Sequence, residues 1–345
     1  MNVRLMSTRL AATTAAAVIA GLPSALCAQE LTGAGSSFAA PLYNRWAADY
    51  AAKTNVRVNY QPIGSGGGIR QFSEMTVDFG GTDGPMTDDQ LAKAKGGQVL
   101  HVPVAMGAAV IVYNIPGVTK ELRMTPAVIA AIFLGKITKW NDPAIASLNR
   151  GVALPIQDVL VVHRSDGSGT TFMFTDFLTA VSPEWAQTVG KGTDVKWPVG
   201  LGAKGSDGVS GQVKQLPGSI GYVELTYARQ NKLEYALVRN AAGNFIQPSI
   251  ASVTAAAAAI AQGLPASTDY RISIVNAPGK NAYPITSMTW ALVYLHQANP
   301  AKGKILVDFL RYGLTQGHEA AERLDYAPLP AAVVKQLEKR LDAVK

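Results

Sequence analysis

The chain has 345 residues, of which 48% are hydrophobic and 16% are charged, and its formal net charge is +7 at pH 7. This composition excludes a disordered or fibrous protein, and the length is enough for a full core divided between two lobes. Lysines and arginines are scattered without any run of three, so we expect a solvated basic surface and no nucleic-acid-binding stripe.

The first 28 residues are predicted to be a secretory signal peptide. Arg4 and Arg9 precede an apolar stretch that Gly-Leu-Pro interrupts and small residues follow. The uninterrupted apolar span is shorter than the ~20 residues of a membrane-spanning helix, which argues against the alternative of an anchor. Cleavage after Cys27 or Ala28 would remove the single cysteine, so we expect a soluble, cysteine-free, exported protein.

From Leu31 to about Val104, short strands alternate with helices, which predicts an α/β lobe with a largely parallel sheet. The segment PLYNRWAADYAAKT repeats apolar residues at helical spacing, VRVNYQPIG and VDFGGTD are predicted strands, and SGGGIRQFSEM opens a helix. Thr87 or Asp88 is expected to cap the helix that follows.

The middle of the chain, from about Gly107 to Asn281, is predicted to continue the alternation. It begins with the strand AAVIVYN, and Thr125 and Asn141 are predicted helix caps. The chain then returns to an extended run, YPITSMTWALVYL, and ends in helices. Because no Pro/Ser linker separates two halves, we expect short strands to cross between two lobes at a hinge.

Three glycine- and hydroxyl-rich loops each lie between a predicted strand and a predicted helix. A helix N-terminus presents unpaired N–H groups and a partial positive charge, so such loops are suited to anions. One such loop is weak evidence, because a serine there is more often a helix cap, but three in one chain favour an anion site. The loops are GAGSSF (33–38), GSGGGI (64–69) and RSDGSGTT (164–171).

Other kinds of site fit these loops less well. None of the three has the Gly-Lys-Ser/Thr of a phosphate loop or a complete G-x-G-x-x-G, and G-x-S-x-G is absent. His163 adjoins Arg164 on a strand, so the two side chains face opposite ways, which leaves Ser168 without a base. No histidine pair at helical spacing indicates a metal. An exported phosphatase or serine hydrolase using Ser168 is kept as an alternative.

Asp83, in FGGTDGPM, indicates which anion would bind. An ionised carboxylate only accepts hydrogen bonds, so it repels a fully ionised anion but can accept the proton of an anion that still carries one. The alternative is that Asp83 caps the helix after Pro85 or stabilises a turn.

Nine motifs, in order and spacing, resemble the phosphate-binding subunit of the high-affinity phosphate ABC transporter, a type II periplasmic binding protein. The resemblance extends from about Leu31 to the C-terminal helix. The motifs are LTGAGSSFAAPLYNRW, VNYQPIGSGGGIRQF, VDFGGTDGPMTDDQL, FLGKITKWNDPAI, RSDGSGTTFMFTDFL, VKWPVGLGAKGSDGV, LPGSIGYVE, YPITSMTW and LDYAPLP.

The resemblance implies two α/β lobes joined by a hinge, with residues 29–105 plus 282–345 forming lobe 1 and residues 106–281 forming lobe 2. It implies a monomeric periplasmic protein, not an enzyme, that holds one dehydrated phosphate without cofactor or metal and serves the permease and ATPase subunits of a transporter. It also implies the phosphate-binding residues, which are Ser37, Phe38, Ser65, Asp83, Arg164, Asp166, Ser168, Gly169 and Thr170.

Within this set the resemblance gives each group a role. Hydroxyls and N–H groups would donate to phosphate, Asp83 would accept its proton, and Asp166 would hold Arg164 in place. Ser37 stands where the family often has threonine, and because serine keeps the hydroxyl we expect little loss of phosphate binding. Gly66 stands where the family often has a second serine, which we expect only to loosen the turn. A protein of similar shape for molybdate or sulfate is the nearer alternative.

Overall fold

Residues 30–261 and 269–345 are described in the computed structural model of the protein. The signal peptide predicted over residues 1–28 lies outside the described residues. Within the described ranges, no helix has the length and apolar character needed to cross a membrane.

Most strands contain branched or aromatic residues, which favour extended structure. In chain order they are β1 (Glu30–Gly35), β2 (Arg57–Gln61), β3 (Phe79–Thr82), β4 (Val99–Asn114), β5 (Arg123–Met124), β6 (Leu160–Arg164), β7 (Leu201–Ala203), β8 (Ser219–Glu224), β9 (Glu234–Tyr235), β10 (Leu237–Arg239), β11 (Phe245–Ile246) and β12 (Thr286–Tyr294).

Helices connect the strands, and several begin at a capping side chain or a first-turn proline. They are α1 (Ala40–Thr54), α2 (Ser65–Ser73), α3 (Asp88–Lys93), α4 (Pro126–Phe133), α5 (Pro143–Ala146), α6 (Gly169–Val181), α7 (Pro183–Thr188), α8 (Gly205–Gln215), α9 (Leu225–Gln230), α10 (Ile250–Ala261), α11 (Pro300–Thr315), α12 (His318–Arg323) and α13 (Ala331–Leu341).

The predicted caps are confirmed with one exception. Thr87 caps α3 through a capping box, and Thr125 caps α4. The prediction for Asn141 is wrong, because Pro143 occupies the first position of α5 and the cap therefore falls on the residue directly before it. Asp142 fills that position, and its side chain accepts the second N–H of the helix.

The main sheet has the strand order β2-β1-β3-β12-β4-β8-β6-β7. Pairing is parallel within β2-β1-β3 and within β8-β6-β7, and antiparallel around β12 and β4. The predicted α/β class is therefore confirmed, while the parallel arrangement is confined to the two flanks. A smaller sheet, β11-β10-β5, lies apart from it.

One long strand, β4, joins the two flanks of the sheet. Its residues Val99–Ala108 pair with β12, and its residues Ala109–Asn114 pair with β8. We expected short crossing strands, but β4 continues for 16 residues, because its pairing passes from one partner to the next without interruption.

Buried tryptophans pack in both flanks and tie turns to the core. The indole N–H of Trp46 donates to the Gly317 carbonyl at 3.0 Å, and that of Trp140 donates to the Gly218 carbonyl at 2.9 Å. Both side chains are fully buried, so each of these aromatic residues satisfies its polar atom inside the core. The packed flanks therefore provide a rigid support for the loops at the strand ends.

Candidate anion-binding site

The three predicted loops follow the carboxyl ends of β1, β2 and β6, and the carboxyl ends of strands are where open α/β sheets commonly bind ligands. We call the residues that follow β1, β2 and β3 the first cluster and those that follow or end β6 the second cluster. The first cluster comprises Ser37, Phe38, Ser65 and Asp83. The second cluster comprises Arg164, Asp166, Ser168, Gly169 and Thr170.

Ser37 and Phe38 lie in the turn between β1 and α1. Their backbone N–H groups have no hydrogen-bond partner among the described residues. The Ser37 hydroxyl lies 3.1 Å from the hydroxyl of Ser206, and Tyr227 donates its hydroxyl proton to the Ser37 carbonyl at 2.8 Å. This turn therefore offers two backbone donors at a helix start.

Ser65 is the first residue of α2. Its hydroxyl oxygen accepts the N–H of Asp83 at 3.1 Å and lies 3.4 Å from the Asp83 carboxylate. The next residue, Gly66, donates its N–H to the carbonyl of Gly167 at 2.8 Å. A Cβ on Gly66 would lie 3.1 Å from the Gly167 Cα atom, so glycine here permits close contact between the clusters, a consequence beyond the expected loosening of the turn.

Asp83 follows β3, and only 1% of its surface is exposed. Its carboxylate accepts hydrogen bonds from Ser36 at 2.6 Å and from Thr289 at 2.7 Å. Burial raises the pKa of Asp83 to about 7, although these two hydrogen bonds oppose the rise. Since Thr87 caps the helix after Pro85, Asp83 is not that cap.

Arg164 ends β6, with its side chain 1% exposed. Its Nε and Nη2 atoms donate to the two oxygens of Asp166 at 2.7 and 2.6 Å. Burial alone would lower the pKa of Arg164, but Asp166 raises it above its ordinary value. The bidentate pair fixes the guanidinium, as the predicted role of Asp166 requires, and Arg164 therefore stays charged inside the protein.

Ser168 caps α6, and Gly169 and Thr170 form its first turn. The Ser168 oxygen accepts the N–H of Thr171 at 3.1 Å, which leaves the hydroxyl proton available to another acceptor. A Cβ on Gly169 would lie 2.5 Å from an Asp83 carboxylate oxygen, so the helix start approaches the first cluster directly. The structure thus brings Ser65, Asp83 and Gly169 together, while Ser37 and Arg164 both contact the hydroxyl of Ser206.

Sequence reasoning missed residues that contact the second cluster, among them Ser206 and Glu224. The hydroxyl of Ser206, at the start of α8, accepts from Arg164 Nη1 at 3.1 Å. Glu224, at the end of β8, is 1% exposed and accepts the hydroxyl proton of Thr170, while its second carboxylate oxygen is buried without a partner among the described residues. A carboxylate closing the apolar run SIGYVE was the signal that could have drawn attention to Glu224.

His163 and His101 do not form a hydrolase site with Ser168. The ring of His163 stacks on Trp197 at 4.8 Å, so it points away from Arg164 as predicted. The Nε2 atom of His101 accepts the N–H of Met86. Across the described ranges, no group of three or more His, Cys, Asp or Glu residues is arranged to hold a metal ion.

Replacing Ser168 with alanine is expected to lower both stability and anion affinity. Loss of the cap should reduce the free energy of unfolding by about 1 kcal/mol. Loss of a hydroxyl donor to a charged ligand should weaken binding by about 10-fold. Thr125→Ala is a matched control, because it removes the cap of α4. Urea denaturation and calorimetric titration measure the two effects, and equal affinity in both variants would rule out the Ser168 hydroxyl as a donor.

Comparison with known proteins gives a consistent result. Residues 11–316 match the model of the PBP superfamily domain. The chain is 48% identical to a protein of Xylella fastidiosa named phosphate-binding protein PstS, with 90% of this chain and 84% of that one covered. It is 46% identical to the PstS of Pasteurella multocida, with 90% and 89% covered. A crystal structure of a phosphate-binding protein from Stenotrophomonas maltophilia has a TM-score of 0.71 at 22% identity, with 90% and 94% covered, and supports the two-lobe fold.

Proposed function

The chain belongs to the PstS phosphate-binding family within the PBP superfamily, and on this premise we propose that the two clusters are the site where it captures inorganic phosphate for import by an ABC transporter. Like its relatives, which are named phosphate-binding proteins, it is a binding protein and not an enzyme. The arrangement of donors around a buried acceptor, Asp83, carries the proposal.

Phosphate fits this arrangement because it is a tetrahedral anion that still carries a proton near neutral pH. The N–H groups of Ser37 and Phe38, the first-turn N–H groups of α6 and the guanidinium of Arg164 can donate to its oxygens. An ionised Asp83 can accept its proton. Sulfate has no proton at this pH, so it would meet a buried carboxylate with no hydrogen bond between them, and sites built on such a bond can discriminate by ~10⁴-fold or more.

The proposed binding movement is closure of two lobes around the anion. Residues 29–105 plus 282–345 would form lobe 1 and residues 106–281 lobe 2. Each cluster belongs to a different lobe, so neither alone can satisfy the ligand. The point where β4 changes partner, between Ala108 and Ala109, lies close to this boundary and is the proposed hinge.

The same proposal assigns the partners and the location. The closed protein would be the form that a membrane permease, with its ATPase subunits, recognises. We propose that the protein acts as an exported periplasmic monomer, with phosphate as its ligand and with no cofactor.

Calorimetric titration of the purified mature protein with phosphate, arsenate and sulfate tests this function. We expect tight phosphate binding without metal or nucleotide, arsenate binding because arsenate carries a proton at the same pH, and no comparable sulfate binding. Sulfate bound as tightly as phosphate would overturn the proposal.

A further inference from the structure

The Asp83 carboxylate is surrounded by hydroxyl groups that the predicted site does not include. The Ser36 hydroxyl lies 2.6 Å from both carboxylate oxygens, and the Thr289 hydroxyl lies 2.7 Å from one of them. Both residues are fully buried. They come from opposite ends of the chain, Ser36 from the end of β1 and Thr289 from β12.

The local backbone fixes both hydroxyls. The Ser36 oxygen accepts the N–H of Ala39 at 3.0 Å, so its single proton is directed to Asp83. Thr289 lies at a register shift in the pairing of β12 with β4, an irregularity that re-aims side chains in sheets. Its hydroxyl can reach Asp83 or, at 3.3 Å, the Thr82 carbonyl.

We propose that Ser36 and Thr289 are positioning residues that keep the Asp83 carboxylate ionised and fixed in place, and so set the pH above which the protein rejects anions that carry no proton. This inference rests on the proposed function. Its physical basis is that a hydroxyl that donates to a carboxylate stabilises the charged form. An ionised Asp83 can only accept, whereas a protonated Asp83 could donate a hydrogen bond to sulfate.

The surroundings of Asp83 are consistent with this role. Burial raises its pKa, while the hydrogen bonds from Ser36 and Thr289 lower it. Removing either hydroxyl should therefore raise the pKa further. Two charged groups face Asp83: Glu224 opposes ionisation and Arg164 favours it. The tyrosines that face it have pKa values raised by burial and stay neutral near neutral pH; they are Tyr43, Tyr60, Tyr227 and Tyr326.

The test compares sulfate affinity with phosphate affinity by calorimetry from about pH 5.5 to about pH 8.5. In the intact protein, sulfate binding should emerge only as Asp83 takes up a proton, below about pH 7. The midpoint is the pH at which sulfate binding reaches half of its low-pH level. In Thr289→Val and Ser36→Ala, we expect this midpoint to move upward by about one pH unit or more, because each variant loses a hydrogen bond to the carboxylate.

Two further variants separate this role from a structural one. Thr286→Val removes another buried hydroxyl from β12, one that donates to the Tyr283 carbonyl, and should leave the midpoint unchanged. Thr289→Ser keeps the hydroxyl and should behave as the intact protein. Equal midpoints in intact and Thr289→Val protein, with phosphate still bound, would overturn the inference. Absence of phosphate binding in the intact protein would instead overturn the proposed function.

Discussion

Replacing Asp83 with asparagine is expected to abolish the discrimination between phosphate and sulfate. The amide is neutral and nearly isosteric, and it can donate a hydrogen bond to an oxyanion that has no proton. Its oxygen can still accept the phosphate proton, so phosphate affinity should fall less than selectivity. We expect the discrimination to decrease toward parity, as measured by calorimetric titration of both anions at about pH 8.5, where Asp83 is ionised.

The same variant should stabilise the unliganded protein at alkaline pH. Burial raises the pKa of Asp83 to about 7, so the folded state binds its proton more tightly than the unfolded state does. Stability therefore falls as the pH rises through the interval between the ordinary pKa and about 7, and it then stays low. Asp83→Asn removes this loss. The variant should therefore exceed the intact protein in free energy of unfolding by about 4 kcal/mol above pH 7 and should equal it below about pH 4.

Denaturation at several pH values, with Asp89→Asn as a control, tests the stability effect. Asp89 is exposed on α3, so its substitution changes the charge without touching the site. If Asp83→Asn still rejects sulfate, selectivity must lie elsewhere, and Glu224 is then the next carboxylate to replace. If its stability equals that of the intact protein at pH 8, the buried carboxylate is better solvated than its surroundings indicate.

The fold and the ligand loops could be predicted from the sequence because their signals are local. A strand followed by glycines and hydroxyls marks each helix start, and Thr87 and Thr125 cap helices within a few residues of their own positions. The family resemblance added the order of the motifs, and the relatives confirm it.

The remaining parts of the site depend on contacts between distant residues. Thr289 reaches Asp83 only because β12 lies beside β3 in the sheet. Ser36 and Ser37 are adjacent and chemically alike, so only the path of the backbone decides which hydroxyl meets the carboxylate and which lies beside Ser206. Local spacing does not encode a contact between residues about 200 positions apart or the direction of one turn. These contacts therefore escaped prediction.

Replacing Gly169 with alanine is expected to prevent the clusters from approaching each other. A Cβ at this position would lie 2.4 Å from the Ser65 hydroxyl oxygen and 2.6 Å from the Asp83 Cβ, distances that no packing tolerates. The start of α6 would have to move away from Ser65 and Asp83. An anion bound at α6 would then lose its contact with Asp83, and an anion bound at Asp83 would lose the donors of α6. Loss of two hydrogen bonds to a charged anion predicts that phosphate affinity falls by about 10²-fold or more.

Gly211→Ala is the matched control for this substitution. Gly211 lies within α8, and a Cβ there would meet no atom within 4 Å, so alanine should bind phosphate normally and add up to about 1 kcal/mol of helix stability. Small-angle X-ray scattering should then show compaction on adding phosphate in the control and in the intact protein, but not in Gly169→Ala. Normal affinity in Gly169→Ala would mean that Ser65 and Asp83 can move aside, and the close approach of the two clusters would no longer explain why both are needed to hold the anion.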